Sequence, residues 1–356
     1  MRNGTGPKQQ RRWPRALVSP VSMAAPALTA LLLGSCSDGS GPGTAVPIPG
    51  GAAGIGFDDL RYAVRLGRVL APAGRTGTLA LVDPDTDGVS TIAGFSASAA
   101  YDGSHDFGPT SADEGRGLLF VTDRTSGKLS AVEPATGTIL SSVILAASPD
   151  YVRYVEATDE LWISEPSASQ IEIVALSGAT PALSHAAVIA VTNGPESLVI
   201  DERAGRAYAH RWQSSTVVLD VQTRSIVFEW PNGCAASRGL AVDEQRGFFF
   251  AGCLEGTLSV LDVRHDGRVL SSLARGSGFD VMGYSPSLGH VYLAGAACAC
   301  LVVVGVSAAG QLSFLGRFDA TSSAHCAVAD DRGHAWVCDP DGGQLWRIDD
   351  PYPASW

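Results

Sequence analysis

The chain has 356 residues, 45% of them hydrophobic and 17% charged, with 41 glycines, 20 prolines and a formal charge of −11 at pH 7. That balance describes a turn-rich globular protein and excludes a disordered one, while the length admits one large domain or two of medium size. The acidic excess argues against nucleic acid as a partner.

Residues 1–35 read as a targeting segment. Arg2, Lys8, Arg11, Arg12 and Arg15 precede or open an apolar stretch from Ala16 to Gly34, which Pro20 and Pro26 interrupt. These prolines and the polar flank after Cys36 oppose a stable membrane-spanning helix. LLLGSC resembles a bacterial lipobox with Cys36 as the acylated residue. That resemblance implies a lipoprotein signal peptide over 1–35 and membrane attachment through acyl chains alone. With Ser37 next, it also implies a place in the cell envelope, at the outer membrane or cell surface. Ordinary secretion with cleavage near Ser35 is the alternative. Loss of the leader removes five bases and no acid, which moves the net charge to about −16. Residues 36–55 read as a Gly/Pro-rich linker.

From about Gly56 the sequence repeats itself. GPESLVIDERAGRAYAHRWQSSTVVLDVQTRSIVFEW from Gly194 matches SRGLAVDEQRGFFFAGCLEGTLSVLDVRHDGRVLSSL from Ser237. Each reads as an apolar run, an acidic turn, an aromatic run, a loop, a VLDV run, a second turn and a last run. This pattern predicts four short strands joined by hairpins. It fits seven times, with Asp83, Glu133, Ala175, Asp220, Asp262, Gly305 and Asp349 ending successive third strands, about 42 to 50 residues apart. One such sheet cannot bury both its faces, but seven stacked around an axis can. The expected fold is therefore all-β, a seven-bladed β-propeller over 56–356. The seventh unit stops after its third strand, so residues near Thr44–Pro49 are expected to add its outer strand, an edge where proline is tolerated.

VIDERAGRAYAHR, AVDEQRGFFFAGC and ADDRGHAWVCDP, followed by VLDV-like strands, resemble the YVTN-type β-propeller repeats. The resemblance covers about 300 residues and implies a bacterial secreted or surface propeller. ACACLVVVGV in the sixth unit departs from it, lacking the acidic strand end.

The last unit contains HCAVADDRGHAWVCDP, which has the composition of a zinc site. As a hairpin turning at Asp331-Arg332-Gly333, it sets Val328 against Trp336 and Cys326 against Cys338. His334 then lies at the turn and His325 at the open end, roughly 20 Å away, so the two histidines do not share an ion. A disulfide between Cys326 and Cys338 is the simplest reading, and a zinc or copper site of Cys326, Cys338 and His325 the alternative. Cys234 and Cys253 reach the same end of the fifth unit and are expected to pair. Cys298 and Cys300 form a C-x-C pair with a redox or soft-metal role, a long-range bond or free thiols as readings.

In a propeller the first strand of each blade lines the channel. Aligning the units places Asp58, Asp150, Glu196, Arg238 and Asp280 at equivalent positions near one rim. Gly108 and Ala324 fill the other two places, and Asp106 and His325 stand nearby. Such a ring can hold Ca²⁺, orient a polar ligand, or tie each acid to the backbone of the next blade. Asp123, Glu165, His210, Arg211 and Trp212 lie on the same rim and read singly as solvated surface. No G-x-S-x-G, H-E-x-x-H, Walker or C-x-x-C-H motif occurs.

Two functions follow. The first is a lipid-anchored, monomeric, non-enzymatic scaffold that binds a protein, glycan or small polar ligand through its rim without a cofactor. The second is a metal-dependent hydrolase or lyase on a gluconolactonase-like plan, with the acidic ring as ligands.

Overall fold

The structure is a computed structural model that describes residues 43–356. The expected signal peptide over 1–35 and Cys36 lie outside the described residues. Among these residues, 28 strands form seven four-stranded antiparallel sheets, the blades of a β-propeller. Six blades follow chain order. The seventh is ordered Thr44–Pro47, Gln344–Asp349, His334–Asp339 and Ala327–Ala329, so the N-terminal strand supplies its outer edge. Thr44 pairs with Arg347 and Pro47 with Gln344. No described helix is long and apolar enough to cross a membrane.

The burial pattern shows why the sequence reads as it does. Second strands such as Phe248–Cys253 and His290–Gly295 are buried along their whole length, because neighbouring blades cover both faces. Their runs are therefore continuously apolar or aromatic. Outer strands such as Thr138–Ile144 alternate between exposed and half-buried positions and tolerate polar residues.

The recurring acidic turn has two jobs. Its aspartate accepts a backbone N–H from its own hairpin, as Asp201 does from Ala204 and Asp243 from Arg246, each at 2.8 Å. Its glutamate reaches the preceding blade. Glu114 accepts from the N–H groups of Arg65 and Leu66, Glu202 from that of Glu156, and Glu244 from that of Arg203. The glycine that follows takes a left-handed conformation, with φ 63° at Gly205 and 75° at Gly247, and Asp159 fills that role in blade 3 with φ 56°. The acids ending third strands close the next turn in the same way, as when Asp220 accepts from Gln222 and Thr223.

The last hairpin has the expected register, with Val328 opposite Trp336 and a disulfide joining Cys326 to Cys338. Cys234 and Cys253 are bonded as well. Cys298 and Cys300 are bonded to each other, which excludes both the long-range bond and the free thiols. Side chains two apart on a strand normally share a face, but Cys298 sits in the turn before the strand Cys300–Val306, and Ala299 between them takes φ 47°. Three disulfides point to an oxidising compartment.

Candidate functional site

The first strands surround a channel that opens as two cavities. Tyr151 lines both. Beside it Arg153 makes a two-pronged bond to Asp59, at 2.7 and 3.1 Å, and its guanidinium stands 5.1 Å from the Tyr151 ring centre. Ser111 donates to the same Asp59 carboxylate at 2.6 Å, and Arg153 donates to the carbonyl of Leu198. This buried cross-brace joins blades 1 to 4 across the axis. One cavity, about 470 Å³, is walled largely by apolar side chains, including Leu198, Leu240, Val281 and Met282.

The other cavity, about 400 Å³, is the acidic mouth. Asp58, Asp150, Glu196, Arg238 and Asp280 all line it, together with Asp106, His105, Arg124, Trp212, Pro149 and Pro166. The five residues aligned from the repeats do not occupy one ladder position. Glu196 pairs with His210, the last residue of its second strand, but the equivalent partners in blades 5 and 6 are Ser237 and Phe279. Arg238 and Asp280 lie one residue further on, inside irregularities of those strands that recur between Ser237 and Leu240 and between Phe279 and Met282. A bulge re-aims the side chain it carries, so the shifted residues still reach the common cavity.

Arg124, which the alignment did not single out, organises half of the ring. Its Nη2 donates to Asp58 at 2.7 Å and to Asp150 at 2.6 Å. Its Nη1 donates to Asp106 at 3.2 Å and its Nε to the carbonyl of Pro149. It follows directly on Asp123 at a second-strand end, so the signal was present one residue away. The other half of the ring has no such partner. Among the described residues neither Glu196 nor Asp280 makes a side-chain hydrogen bond or an ion pair, although Glu196 is only 7% exposed. Arg238 instead donates to the carbonyl of Ser237 and stacks 5.0 Å from the Trp212 ring centre. The expected bond from each acid to the backbone of the next blade is therefore absent from the ring; on the opposite face Glu114, Glu202 and Glu244 do bond a neighbouring backbone, that of the preceding blade.

Burial and mutual repulsion raise the proton affinity of these acids, so an ionised ring is costly without a compensating cation. Burial pushes Asp150 well above the usual carboxylate range, and the charge of Asp58 adds to it. Burial raises Glu196 likewise, reinforced by Asp150 and Asp280 and opposed by Arg238. Asp280 is raised by burial and restrained by His325.

His325 does not line the cavity. Its Nδ1 faces the carbonyl of Ser323 at 2.8 Å and its Nε2 that of Phe57 at 2.9 Å, so it ties blade 7 to blade 1 and has no nitrogen free for a ligand. Its sulfur neighbours Cys326 and Cys338 are bonded to each other. Several rim residues also differ from solvated surface. Asp123 accepts from the N–H of Ser96 at 2.7 Å, and Glu165 from that of Ala147 at 3.0 Å. Burial pushes Glu165 up to about 7. His210 is fully enclosed.

No protein-family model matches the sequence, and no curated protein matches it. Solved structures do. The Cps50 (Swd1) β-propeller domain of Myceliophteria thermophila superimposes with a TM-score of 0.67 at 11% identity, over 86% of this chain and 99% of the other. A chain of a mitotic checkpoint complex gives 0.68 at 14% identity, over 94% and 99%. Kuenenia stuttgartiensis hydrazine synthase gives 0.65 at 10% identity, over 90% and 99%. At such identities the likeness concerns the fold alone.

Proposed function

We propose that the chain is a lipid-anchored, extracytoplasmic propeller of a bacterial envelope that binds a polar ligand at its acidic channel mouth without transforming it. The lipobox-like LLLGSC around Cys36, the YVTN-like turn phrases and the three disulfides support the location. The observation that carries the binding role is an open cavity of ligand size into which two acids bring charge that no described side chain pairs.

The hydrolase or lyase reading has less support. Only two groups of three or more histidine, cysteine, aspartate or glutamate residues among those described bring candidate ligand atoms within 4.8 Å of one another, and neither includes a ring carboxylate. An ion bound by six to eight oxygens at 2.3–2.6 Å needs closer convergence.

A thermal-shift screen of the full chain against sugars, amino acids, amines and metal ions tests the reading. At least one class should stabilise the protein, be recovered chemically unchanged, and lose its effect in Glu196→Gln/Asp280→Asn but not in Val64→Ser at the opposite mouth. Hits that are converted, or that respond only to the opposite mouth, contradict it.

A further inference from the structure

We infer that the acidic mouth takes an organic cation, a protonated amine or guanidinium on a short aliphatic stem, rather than a bare metal ion. The inference rests on the proposed binding role of this cavity and names its ligand class.

Charge comes first. Asp58, Asp150, Glu196 and Asp280 face the cavity together with two arginines. Arg124 is spent on Asp58, Asp150 and Asp106. Arg238 stacks on Trp212 and lies within 4 Å of no carboxylate oxygen among the described residues. Glu196 and Asp280 are thus left without an ion pair or hydrogen bond among the described residues, with Arg238 acting on Glu196, and His325, His105 and Arg238 on Asp280, only at longer range. Glu196 is more than nine-tenths buried and lines the cavity, where an unpaired carboxylate is costly unless a ligand supplies the charge.

Shape selects among cations. The ring oxygens do not gather closely enough to replace the hydration shell of a metal ion, and the Arg124 guanidinium already bridges Asp58 and Asp150. A cavity of about 400 Å³ instead accommodates a small molecule that reaches separated carboxylates through hydrogen bonds. Its walls suit an alkyl cation. Trp212, Tyr151, Pro149 and Pro166, aromatic and apolar residues, line the cavity. Trp212 already carries an alkylguanidinium, that of Arg238, over its ring. Two sources share this chemistry: a free di- or polyamine, and a lysine or arginine side chain presented by a polypeptide.

Isothermal titration of the full chain in detergent separates the possibilities, with spermidine, a lysine-containing hexapeptide, its lysine-acetylated form and CaCl₂ as probes. Spermidine or the unmodified peptide should bind, and which of the two binds more tightly identifies the source. Acetylation should abolish peptide binding. Glu196→Gln should weaken the amine at least tenfold, and Asp280→Asn should do so independently. Raising salt from 50 to 300 mM should weaken it further. Without ligand, Glu196→Gln should fold and, at a pH above the raised range in which Glu196 ionises, melt at a higher temperature than the parent, since it removes an unpaired charge. Binding of Ca²⁺ in preference to both amines, amine binding indifferent to Glu196 and Asp280, or no amine binding at all would overturn the inference. A sugar that binds in a Glu196-dependent way would overturn it too, while leaving the binding role intact.

Discussion

His210 shows how much one buried side chain depends on its surroundings. Its Nδ1 lies 2.8 Å from the Thr216 hydroxyl and its Nε2 3.1 Å from the carbonyl of Gly239, which links blade 4 to blade 5. Burial lowers the imidazole to about 4, because a charged ring would lose its hydration. The native value lies below the unfolded one of about 6.5, so the unfolded chain binds the extra proton between them. The stability this contributes is complete above pH 6.5 and is lost as pH falls towards 4, amounting to about 3 kcal/mol. His210→Gln should flatten that loss. Urea midpoints at pH 7.5 and 4.5 should separate more for the parent than for the variant; equal separation would contradict this account. The ring acids work in the opposite sense: their native values lie above the unfolded ones, so what they contribute at low pH is lost as pH rises from the usual carboxylate range through those raised values. A single histidine in YAHRW marks a strand end, but nothing local tells an enclosed ring from a solvated one.

At the scale of elements, the hairpin Ala327–Asp339 was readable because its signals are local. Asp331-Arg332-Gly333 sets the turn, with φ 88° at Gly333, and alternation along both arms sets the register that brings the two cysteines face to face. Replacing Cys326 and Cys338 together by alanine should lower the unfolding free energy by about 2–3 kcal/mol, as expected for a short closed loop. Guanidinium unfolding of the oxidised protein measures it, and an unchanged midpoint would show that the bond adds nothing. The irregularities before Leu240 and Met282 were not readable in this way. A bulge leaves composition and spacing unchanged, and only the partner strand reveals which residue is extra.

Over the whole molecule, closure decides stability. The strand Thr44–Pro47 adds a fourth strand to blade 7 and buries Val46 to 2% and Ile48 to 3% exposure. A chain beginning at Gly50 should therefore be less stable than one beginning at Gly43 by about 4 kcal/mol, the order expected for two buried aliphatic side chains. Urea titration of the two chains checks this, and equal midpoints would mean the ring does not depend on that strand. The sequence by itself determined the seven-fold period, the turn chemistry, the closing strand and the paired cysteines of two blades. All of these follow from patterns within some forty residues or from an unfinished repeat. Only the tertiary structure decided which acids are paired. Arg124 of blade 2 reaches Asp58 and Asp150 on the blades either side, while Glu196 and Asp280 make no ion pair among the described residues. That outcome depends on where side chains from separate blades come together around the axis, and no local pattern encodes distances across a channel.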